Sequence, residues 1–449
     1  MRVCIVGTGY VGLVSGVCLA AKGHDVTCVD KIPEKVESIN RAESPIHEPG
    51  LDELLQSTIG VNFRATTDLD AAVRASDITI IAVGTPYVGD RMDDTYLKSA
   101  AEEIAETLKG LDSYHVVTVK STVVPGTTEE TVRPILEAVT GKTAGVDFGV
   151  AMNPEFLREG NAIEDFMDPD RIVLGTSDSK SESILRELYS VFDEATVIGT
   201  SITTAEMIKY TANSLLATLI SFSNEIGNLC AKFAEVDVVD VMQGVHTDKR
   251  ISPRLADGTR ITPGIATYIE AGCGFGGSCF PKDVKALVAH GRAAGEDMQI
   301  LSSVIDVNER QPAKINDLLA KHFANLNGVP VAVLGLAFKP GTDDMRESPA
   351  IPVVNYLESQ GASIQAFDPV ATAEAKHVFT DHNIHYCESV EEAVEDVEAV
   401  VLMTRWPEFG GLPSILARKP NPPLVIDGRR MLERSTVPRY EGIGLMAAS

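Results

Sequence analysis

The first thirty residues constrain the fold more than any other part of the chain. Residues 2–7 (RVCIVG) form an apolar run typical of a buried parallel strand. The run ends in the motif Gly7-Thr8-Gly9-Tyr10-Val11-Gly12, and a helical pattern over 11–22 follows it directly. A second apolar strand, predicted over 25–30, ends in Asp30. Such a turn lets a pyrophosphate approach a helix N-terminus, and the acid suits a ribose hydroxyl. The pattern predicts a Rossmann-like dinucleotide-binding domain.

The acid at the end of the second strand indicates which dinucleotide binds. A carboxylate at Asp30 favours the free 2′-hydroxyl of NAD and repels the 2′-phosphate of NADP. Lys31 and Lys35 lie close in sequence and leave NADP open. A glycine turn that holds no ligand is the plainer alternative. The expected cofactor is NAD.

The two ends of the chain share one pattern of strands and helices. Further buried strands are predicted at 77–86 and 115–122, and at the far end a strand, a helix and a strand at 331–338, 348–361 and 362–369. Residues 392–407 align without a gap against 71–86, and Asp368 occupies the place of Asp30. Strands that alternate with helices predict an α/β fold of two Rossmann-like doubly wound domains. The second half lacks the three glycines, so we expect it to hold something other than NAD.

The middle of the chain has a different texture. Residues 201–234 contain no proline and one glycine, which predicts a long helix joining the two domains, and a second helical stretch covers 282–326. We expect an NAD-binding domain at 1–200, a central helical dimerisation and catalytic-loop region at 201–326, and a UDP-sugar-binding domain at 327–449. A homodimer or higher homo-oligomer is expected to form through the central helix.

The charge balance restricts the partners. Acidic residues outnumber basic ones 64 to 39, which gives a formal charge of −25. This surface disfavours nucleic acid and anionic membranes, so an anionic ligand must meet local Lys or Arg side chains. The chain begins in a strand and has no long uncharged apolar stretch, which favours a cytoplasmic protein. The seven cysteines lack the spacing of a disulfide framework or a metal site, and no metal is expected.

The densest chemistry lies at 274–283 (GFGGSCFPKD). Pro281 suits the first turn of a following helix, which would place Cys279 at that helix N-terminus with Lys282 close by. Both features favour the nucleophilic thiolate. The alternative is a buried structural cysteine, which is how we interpret Cys273. An NAD-binding chain with a cysteine nucleophile suits oxidation beyond an aldehyde, because a thiohemiacetal can give up hydride and become a thioester.

Six motifs along the chain resemble those of the UDP-glucose/GDP-mannose dehydrogenase family, which oxidises a nucleotide-sugar alcohol to a carboxylate. They occur in the family's order: GTGYVG, KSTVVPGT (120–127), NPEFLREG (153–160), AEMIKYTAN (205–213), GFGGSCFPKD and FKPGTDDMRESP (338–349). The segments NPEFLREGNAIEDFMDPDRIVLG and GGSCFPKD are most similar to the UDP-glucose branch.

The resemblance implies roles for individual residues. Cys279 is the implied nucleophile, Lys209 and Asn213 stabilise oxyanion charge, Glu159 serves thioester hydrolysis, and Thr122 and Asp283 position water. The implied cofactor contacts are Gly7, Gly9, Tyr10, Val11, Gly12, Asp30, Lys35, Thr85, Thr122, Glu159, Lys282 and Arg346. The implied substrate contacts are Glu155, Phe156, Leu157, Arg158, Glu159, Lys209, Asn213, Arg250, Tyr268, Ile269, Glu270, Ala271, Gly272, Gly276, Lys339 and Arg429, with Arg430 as the alternative to Arg429.

One segment departs from the family pattern. After DKRI (248–251), the stretch SPRLADGTRITPGIATYIEAG is longer than usual. In the family an arginine near DKRI reaches a neighbouring subunit's substrate, which makes Arg250 the candidate. The insertion could alter sugar preference.

The expected activity is the four-electron oxidation of UDP-glucose to UDP-glucuronate. The same chemistry on GDP-mannose or a UDP-N-acetyl-hexosamine is the first alternative. A single-step hydroxy-acid dehydrogenase is a second, although the cysteine motif argues against it. An NAD-binding sensor without catalysis is a third.

Overall fold

The computed structural model describes residues 1–89 and 91–446, and the chain divides into two compact units at Ala212 and Asn213. The strands of the first unit are β1 Arg2–Val6, β2 Asp25–Val29, β3 Phe63–Thr66, β4 Ile78–Ile81, β5 Tyr87–Val88, β6 Arg91–Met92, β7 Val116–Val119, β8 Gly149–Met152, β9 Arg171–Thr176 and β10 Thr196–Thr200. Those of the second are β11 Pro330–Leu334, β12 Ser363–Phe367, β13 Ile384–Tyr386, β14 Ala399–Leu402, β15 Leu424–Asp427 and β16 Tyr440–Gly442.

Helices connect most of these strands. In the first unit they are α1 Tyr10–Ala21, α2 Pro33–Asn40, α3 Leu51–Thr58, α4 Leu69–Arg74, α5 Thr95–Lys109, a π-helix Thr128–Val132, α6 Arg133–Thr140, α7 Ala162–Met167 and α8 Ser179–Leu188. The long helix α9, Ile202–Cys230, runs across the unit boundary. The second unit adds α10 Val238–His246, α11 Phe280–Ala293, α12 Gln299–Arg310, α13 Ala313–Ala320, α14 Ala350–Ser359, α15 Thr372–Val378, α16 Val390–Ala393 and α17 Leu412–Leu416, with 3₁₀ turns at Gly264–Tyr268, Pro407–Gly411 and Arg434–Thr436.

Each unit is built on a doubly wound parallel sheet. The first sheet has the order β3-β2-β1-β4-β7-β8-β9-β10, parallel except between β8 and β9. The second has the order β13-β12-β11-β14-β15-β16 and is parallel throughout. With the β5–β6 hairpin set aside, both follow the Rossmann order. The predicted fold class is confirmed.

The central strands of both sheets are buried on both faces, as their continuous apolar sequences require. In β1, Val3 and Ile5 pack into one hydrophobic cluster while Cys4 and Val6 pack into the other. Cys4, Cys18 and Cys28 are fully buried and serve as small core residues. Within the described residues no helix has both the length and the hydropathy to cross a membrane.

The structure corrects two predicted helices. The long helix is shorter at both ends than 201–234. The stretch 282–326 is divided among α11, α12 and α13, because Gly295 adopts a positive φ of 93° after α11 and Pro312 separates the other two. By contrast, the ungapped alignment of 392–407 with 71–86 superposes β14 on β4 residue for residue.

Candidate functional site

The glycine motif forms a tight turn ahead of α1. A Cβ atom at Gly12 would lie 1.9 Å from the carbonyl oxygen of Gly7, so this position admits only hydrogen. Gly7 has a φ of +103° and is equally crowded, against the backbone of Ala82. A Cβ at Gly9, in contrast, would meet no atom of the described residues within 4 Å. The turn therefore leaves open space beside the N-terminus of α1, where a pyrophosphate fits.

Asp30 is held ready at the end of β2. Its carboxylate accepts hydrogen bonds from the backbone N of Thr8 at 3.0 Å, from Thr8 Oγ1 at 2.6 Å and from the backbone N of Ile32 at 3.0 Å. Burial acts to raise the pKa of Asp30, but these bonds and the nearby Lys35 charge lower it overall. The charged, oriented carboxylate fits a ribose hydroxyl and opposes a 2′-phosphate.

The equivalent residue of the second sheet, Asp368, is used differently. It is 2% exposed, and one carboxylate oxygen accepts from the backbone N of Leu336 and Ala337 and from Trp406 Nε1 at 3.1 Å. The other oxygen accepts from two further backbone N–H groups. The carboxylate is thus occupied by its own domain, in accord with the expectation that this half does not hold NAD.

Tyr10 is tied to a loop of its own unit. Its hydroxyl bonds to the buried Glu48, which also accepts from the backbone N of Gly160 and Ala162, both at 2.7 Å. This network anchors the segment after Glu159, which is half-buried. Glu48 was not selected from the sequence, because a single glutamate in a loop carries no pattern.

Two predicted threonines meet at the carboxyl ends of β4 and β7. Thr85 Oγ1 donates to the backbone O of Thr122 at 2.6 Å. The carboxyl ends of the central strands are where ligands bind in open α/β sheets. This places both residues at the edge where the glycine turn also lies.

Lys209, one of the two residues predicted on α9, forms a buried ion pair with Glu155. Lys209 Nζ lies 2.8 Å from Glu155 Oε1, and their side chains are 4% and 5% exposed. Burial alone favours the neutral acid, yet the Lys209 charge and a hydrogen bond from the backbone N of Leu157 keep the pKa of Glu155 below its usual value. Lys209 also lies 5.5 Å from the ring centre of Phe156. The arrangement holds a charged ammonium rigidly inside the first unit.

Arg158 points elsewhere in the same loop. Its guanidinium pairs with Asp165 and its side chain is 57% exposed. Its predicted substrate contact stays a prediction.

The cysteine loop begins α11 as predicted. Cys279 is the N-cap of α11 and is half-buried, whereas the six other cysteines are buried. Ser278 Oγ lies 3.6 Å from its sulfur. Lys282 Nζ pairs with Asp283 Oδ1 at 2.7 Å, and Asn213 Nδ2 donates to Asp283 Oδ2 at 2.6 Å. Three predicted residues of the second unit therefore form one polar chain, in which Asn213 and Asp283 are buried and Lys282 is partly exposed.

Side chains that the sequence did not single out hold this loop in place. Asn308 accepts from the backbone N of Phe275 at 2.8 Å and donates to its O at 2.9 Å. Asn224 accepts from Gly272 N, and Gln311 donates to Gly272 O at 2.7 Å. These amides replace the backbone pairing that a glycine-rich loop lacks. The polar run NERQ before Pro312 was the only available signal.

Arg429 also serves the loop. Its guanidinium donates to the backbone O of Gly274 at 2.8 Å and of Met403 at 2.6 Å. Its own carbonyl accepts from Arg405, which pairs with Glu270. Arg430 instead pairs with Asp237 at 2.7 Å and is buried. The predicted Arg429 and Glu270 are therefore linked through Arg405, which the sequence analysis missed.

Other predicted substrate residues flank the loop. A Cβ at Gly276 would lie 2.3 Å from the backbone O of Glu347, and the ring of Tyr268 lies 6.2 Å from that of Phe280. Ile269 O bonds to His246 Nε2 at 2.8 Å, and Ala271 is buried. Lys339 and Arg346 belong to the segment after β11, where Arg346 pairs with Asp344.

Arg250 lies apart from these groups. Its side chain is 84% exposed and pairs with Asp248. The longer segment that follows turns back on itself through a bridge between Arg254 and Arg260, and Arg260 Nη1 donates to Ser252 O at 2.8 Å. The insertion is a folded local turn, and the role of Arg250 stays a prediction.

The glycine turn and the charged Asp30 on a Rossmann sheet place the chain in the class of NAD-dependent oxidoreductases. Three family models match in succession: the NAD binding domain of the UDP-glucose/GDP-mannose dehydrogenase family at residues 1–193, its central domain at 203–310 and its UDP binding domain at 332–434. The chain therefore belongs to the UDP-glucose/GDP-mannose dehydrogenase family.

Individual relatives cover the whole chain. The UDP-glucose 6-dehydrogenase AglM of Haloferax volcanii is 41% identical over 448 residues, covering 99% of this chain and 100% of the relative. The GDP-mannose 6-dehydrogenase of Pseudomonas syringae is 39% identical, covering 99% of this chain and 100% of the relative. The solved UDP-glucose dehydrogenase of Pyrobaculum islandicum is 39% identical with a TM-score of 0.89, covering 99% of this chain and 97% of that one.

Proposed function

We propose that this chain oxidises UDP-glucose to UDP-glucuronate. The balanced reaction consumes UDP-glucose, two NAD⁺ and water and releases UDP-glucuronate, two NADH and three protons. The observation that carries the proposal is the half-buried Cys279 at the N-terminus of α11, beside the chain of Asn213, Asp283 and Lys282. A thiolate is favoured at a helix N-terminus. A dehydrogenase that oxidises its substrate beyond the aldehyde can use such a nucleophile, whereas a simple alcohol or hydroxy-acid dehydrogenase has no need of it.

The residues divide the work in the following order. Oxidation of the sugar's C6 alcohol gives an aldehyde, to which the Cys279 sulfur adds to form a thiohemiacetal. Loss of a second hydride leaves a thioester, and water cleaves it to the acid and the free thiol. NAD, when bound at the glycine turn, supplies the hydride acceptor for both oxidations.

The charged groups serve the oxyanions and the water of this sequence. Lys209 is held by Glu155 inside the first unit and would stabilise negative charge on the reacting oxygen together with Asn213. Asp283 and Thr122 would position the hydrolytic water, with Glu159 assisting thioester hydrolysis. Arg429, Arg405 and Lys339 supply the local cations that an anionic nucleotide needs on a chain of charge −25.

GDP-mannose is the alternative substrate, supported by the GDP-mannose 6-dehydrogenase relative at nearly the same identity as the UDP-glucose relative. The motifs NPEFLREG and GGSCFPKD favour UDP-glucose. UDP-N-acetyl-hexosamines complete the set to be tested.

We also propose that the chain forms a homodimer through α9. Leu215, Phe222 and Leu229 recur every seven residues on this helix, and each is more than half exposed. An apolar stripe of this spacing favours a helix partner.

The decisive experiment measures NADH formed per sugar by the purified chain. UDP-glucose, GDP-mannose and UDP-N-acetyl-hexosamines are offered separately, with Cys279→Ser in parallel and Cys273→Ala as the matched control. The expected result is two NADH per UDP-glucose, abolished by Cys279→Ser and kept by Cys273→Ala. Turnover of another sugar alone would replace the substrate, and one NADH with an unaffected Cys279→Ser would overturn the covalent mechanism.

A further inference from the structure

A second lysine lies buried beside the Lys209–Glu155 pair. Lys120 directly follows β7 and is 4% exposed. Its ammonium donates to Asn153 Oδ1 at 2.9 Å and lies 5.8 Å and 5.9 Å from the ring centres of Phe166 and Tyr189. A lysine in such a place loses its hydration and is rarely kept in a core without a function.

The surroundings of Lys120 connect it to Glu155. Asn153 follows β8, and its side chain is fixed by accepting from Lys120 and Tyr189 and by donating to Val173 O at 2.9 Å. Two residues further along, Glu155 interacts electrostatically with both lysines. The groups facing Lys120 are thus one carboxylate, one ammonium, one amide and two rings.

These contacts place a second positive charge, that of Lys120, close to the Lys209–Glu155 pair. When Lys120 is protonated, it adds one positive charge beside the Lys209–Glu155 pair. That charge is available to an oxyanion that Lys209 approaches. If Lys120 were neutral, this additional positive charge would be absent.

We infer that Lys120 is a positioning residue, which orients Asn153 and Glu155 and adds a positive charge beside the Lys209–Glu155 pair during the reaction. The inference rests on the proposed function, since it assigns Lys120 a part in the same oxidation. It acts through Glu155 and Lys209 and needs no contact with substrate.

The protonation of Lys120 falls in a measurable range. Burial lowers the pKa of Lys120 to about 8, against the opposing influence of Glu155. Burial also raises the pKa of Tyr189, so that phenol stays neutral across the same range. The positive charge is therefore present below pH 8 and is lost as the pH rises through it.

The test compares three variants of the full chain in steady-state NADH formation from pH 6.5 to 9.5. The wild-type rate is expected to decline through pH 8. Lys120→Met is expected to lower kcat at least tenfold with KM changed less than threefold, and to lack that decline. Lys120→Arg, charged at every pH, is expected to stay within a few fold of the wild type at pH 7 and to lack that decline. Tyr189→Phe removes one hydroxyl from Asn153 and serves as the control with an unchanged pH profile.

Each outcome decides the inference. A wild-type kcat and pH profile in Lys120→Met would overturn it while leaving the proposed function intact. If Lys120→Met does not fold, a pH decline retained in Lys120→Arg overturns it. If the wild type oxidises no nucleotide sugar, the proposed function fails and the positioning role fails with it.

Discussion

Replacing Glu155 by Gln tests the electrostatics of the buried pair most directly. The substitution keeps the shape of the side chain and an acceptor for the backbone N of Leu157, but it removes the negative charge that attracts Lys209 and Lys120. At 2.8 Å and an effective dielectric of ~20, the lost attraction between Lys209 and Glu155 is roughly 6 kcal/mol before any relaxation. Removing one partner of a buried ion pair costs about 3–5 kcal/mol in practice, which is our expected loss of unfolding free energy.

The assay is urea denaturation of the wild type and the variant at pH 7. With a slope of about 3 kcal/mol per molar, the loss moves the midpoint of the first unit down by roughly 1 M or more. The matched control is Glu182→Gln, which breaks a Glu182–Arg186 pair of the same 2.8 Å length on the surface of the same unit. Exposed pairs contribute about 0–1 kcal/mol, so the control midpoint should barely move. Equal losses in the two variants would refute the reasoning.

The pH dependence adds an independent check on Glu155→Gln. A lysine whose pKa is depressed on folding destabilises the folded state while it is protonated, and this cost disappears as the pH rises through that pKa. Glu155 raises the pKa of Lys120, which burial holds at about 8, so the variant lowers that pKa further. The stability deficit should therefore shrink between pH 7 and pH 9.5. A deficit that stays constant or grows would contradict this assignment.

Three further predictions follow from the crowding, bonding and exposure of single residues. Gly12→Ala places a Cβ 1.9 Å from the carbonyl oxygen of Gly7, so the turn must open and the Kd for NAD, measured calorimetrically, should rise at least tenfold. Asn308→Ala removes two hydrogen bonds to the Phe275 backbone and should lower the unfolding free energy by about 1–3 kcal/mol in denaturation experiments, with kcat reduced and NAD affinity unchanged. Phe222→Glu puts a charge on the exposed stripe of α9 and should reduce the mass measured by light scattering to that of a monomer.

Each of these has a comparison that isolates the cause. Gly9→Ala meets open space, and a loss of NAD binding equal to that of Gly12→Ala would refute the steric argument. Asn308→Asp keeps the acceptor for Phe275 N and should lose less activity than Asn308→Ala. Val61→Glu changes an 81% exposed residue outside α9, and dissociation by this change alone would remove the case for the stripe.

The fold was largely predictable because its signals are local and repeated. A short apolar run bounded by turn residues and flanked by helical patterns is typical of a buried strand, and this signal placed β1, β4, β7 and β11 correctly. The alignment of 392–407 with 71–86 predicted β14 correctly, because a helix and a strand pack against each other in the same way in both domains. Helix ends were less predictable, since the break after α11 depends on a positive φ at Gly295 that composition does not announce.

Cys279, Asp30 and Gly12 could be selected from the sequence because each combines a motif with a residue type suited to the expected chemistry, and their roles stay predictions. The residues that support the site could not be predicted, because their hydrogen-bond partners lie far away along the chain. Lys120 begins the motif KSTVVPGT, yet its neighbours along the chain do not indicate that its Nζ lies 2.9 Å from Asn153 Oδ1. Asn308 and Glu48 are likewise ordinary until the loops that they hold are folded around them.

The two aspartates that end equivalent strands set different limits on engineering. Asp30 accepts from two neighbouring residues and is half-exposed, so exchanging it alters which cofactor is recognised while the domain keeps its core. Asp368 gathers five donors, including the indole of Trp406, and is fully enclosed. Of the two equivalent aspartates, Asp30 is therefore available to a ligand, whereas Asp368 stabilises its own domain. We therefore expect a substitution of Asp30 to change cofactor preference. The same substitution of Asp368 is expected to destabilise the second unit.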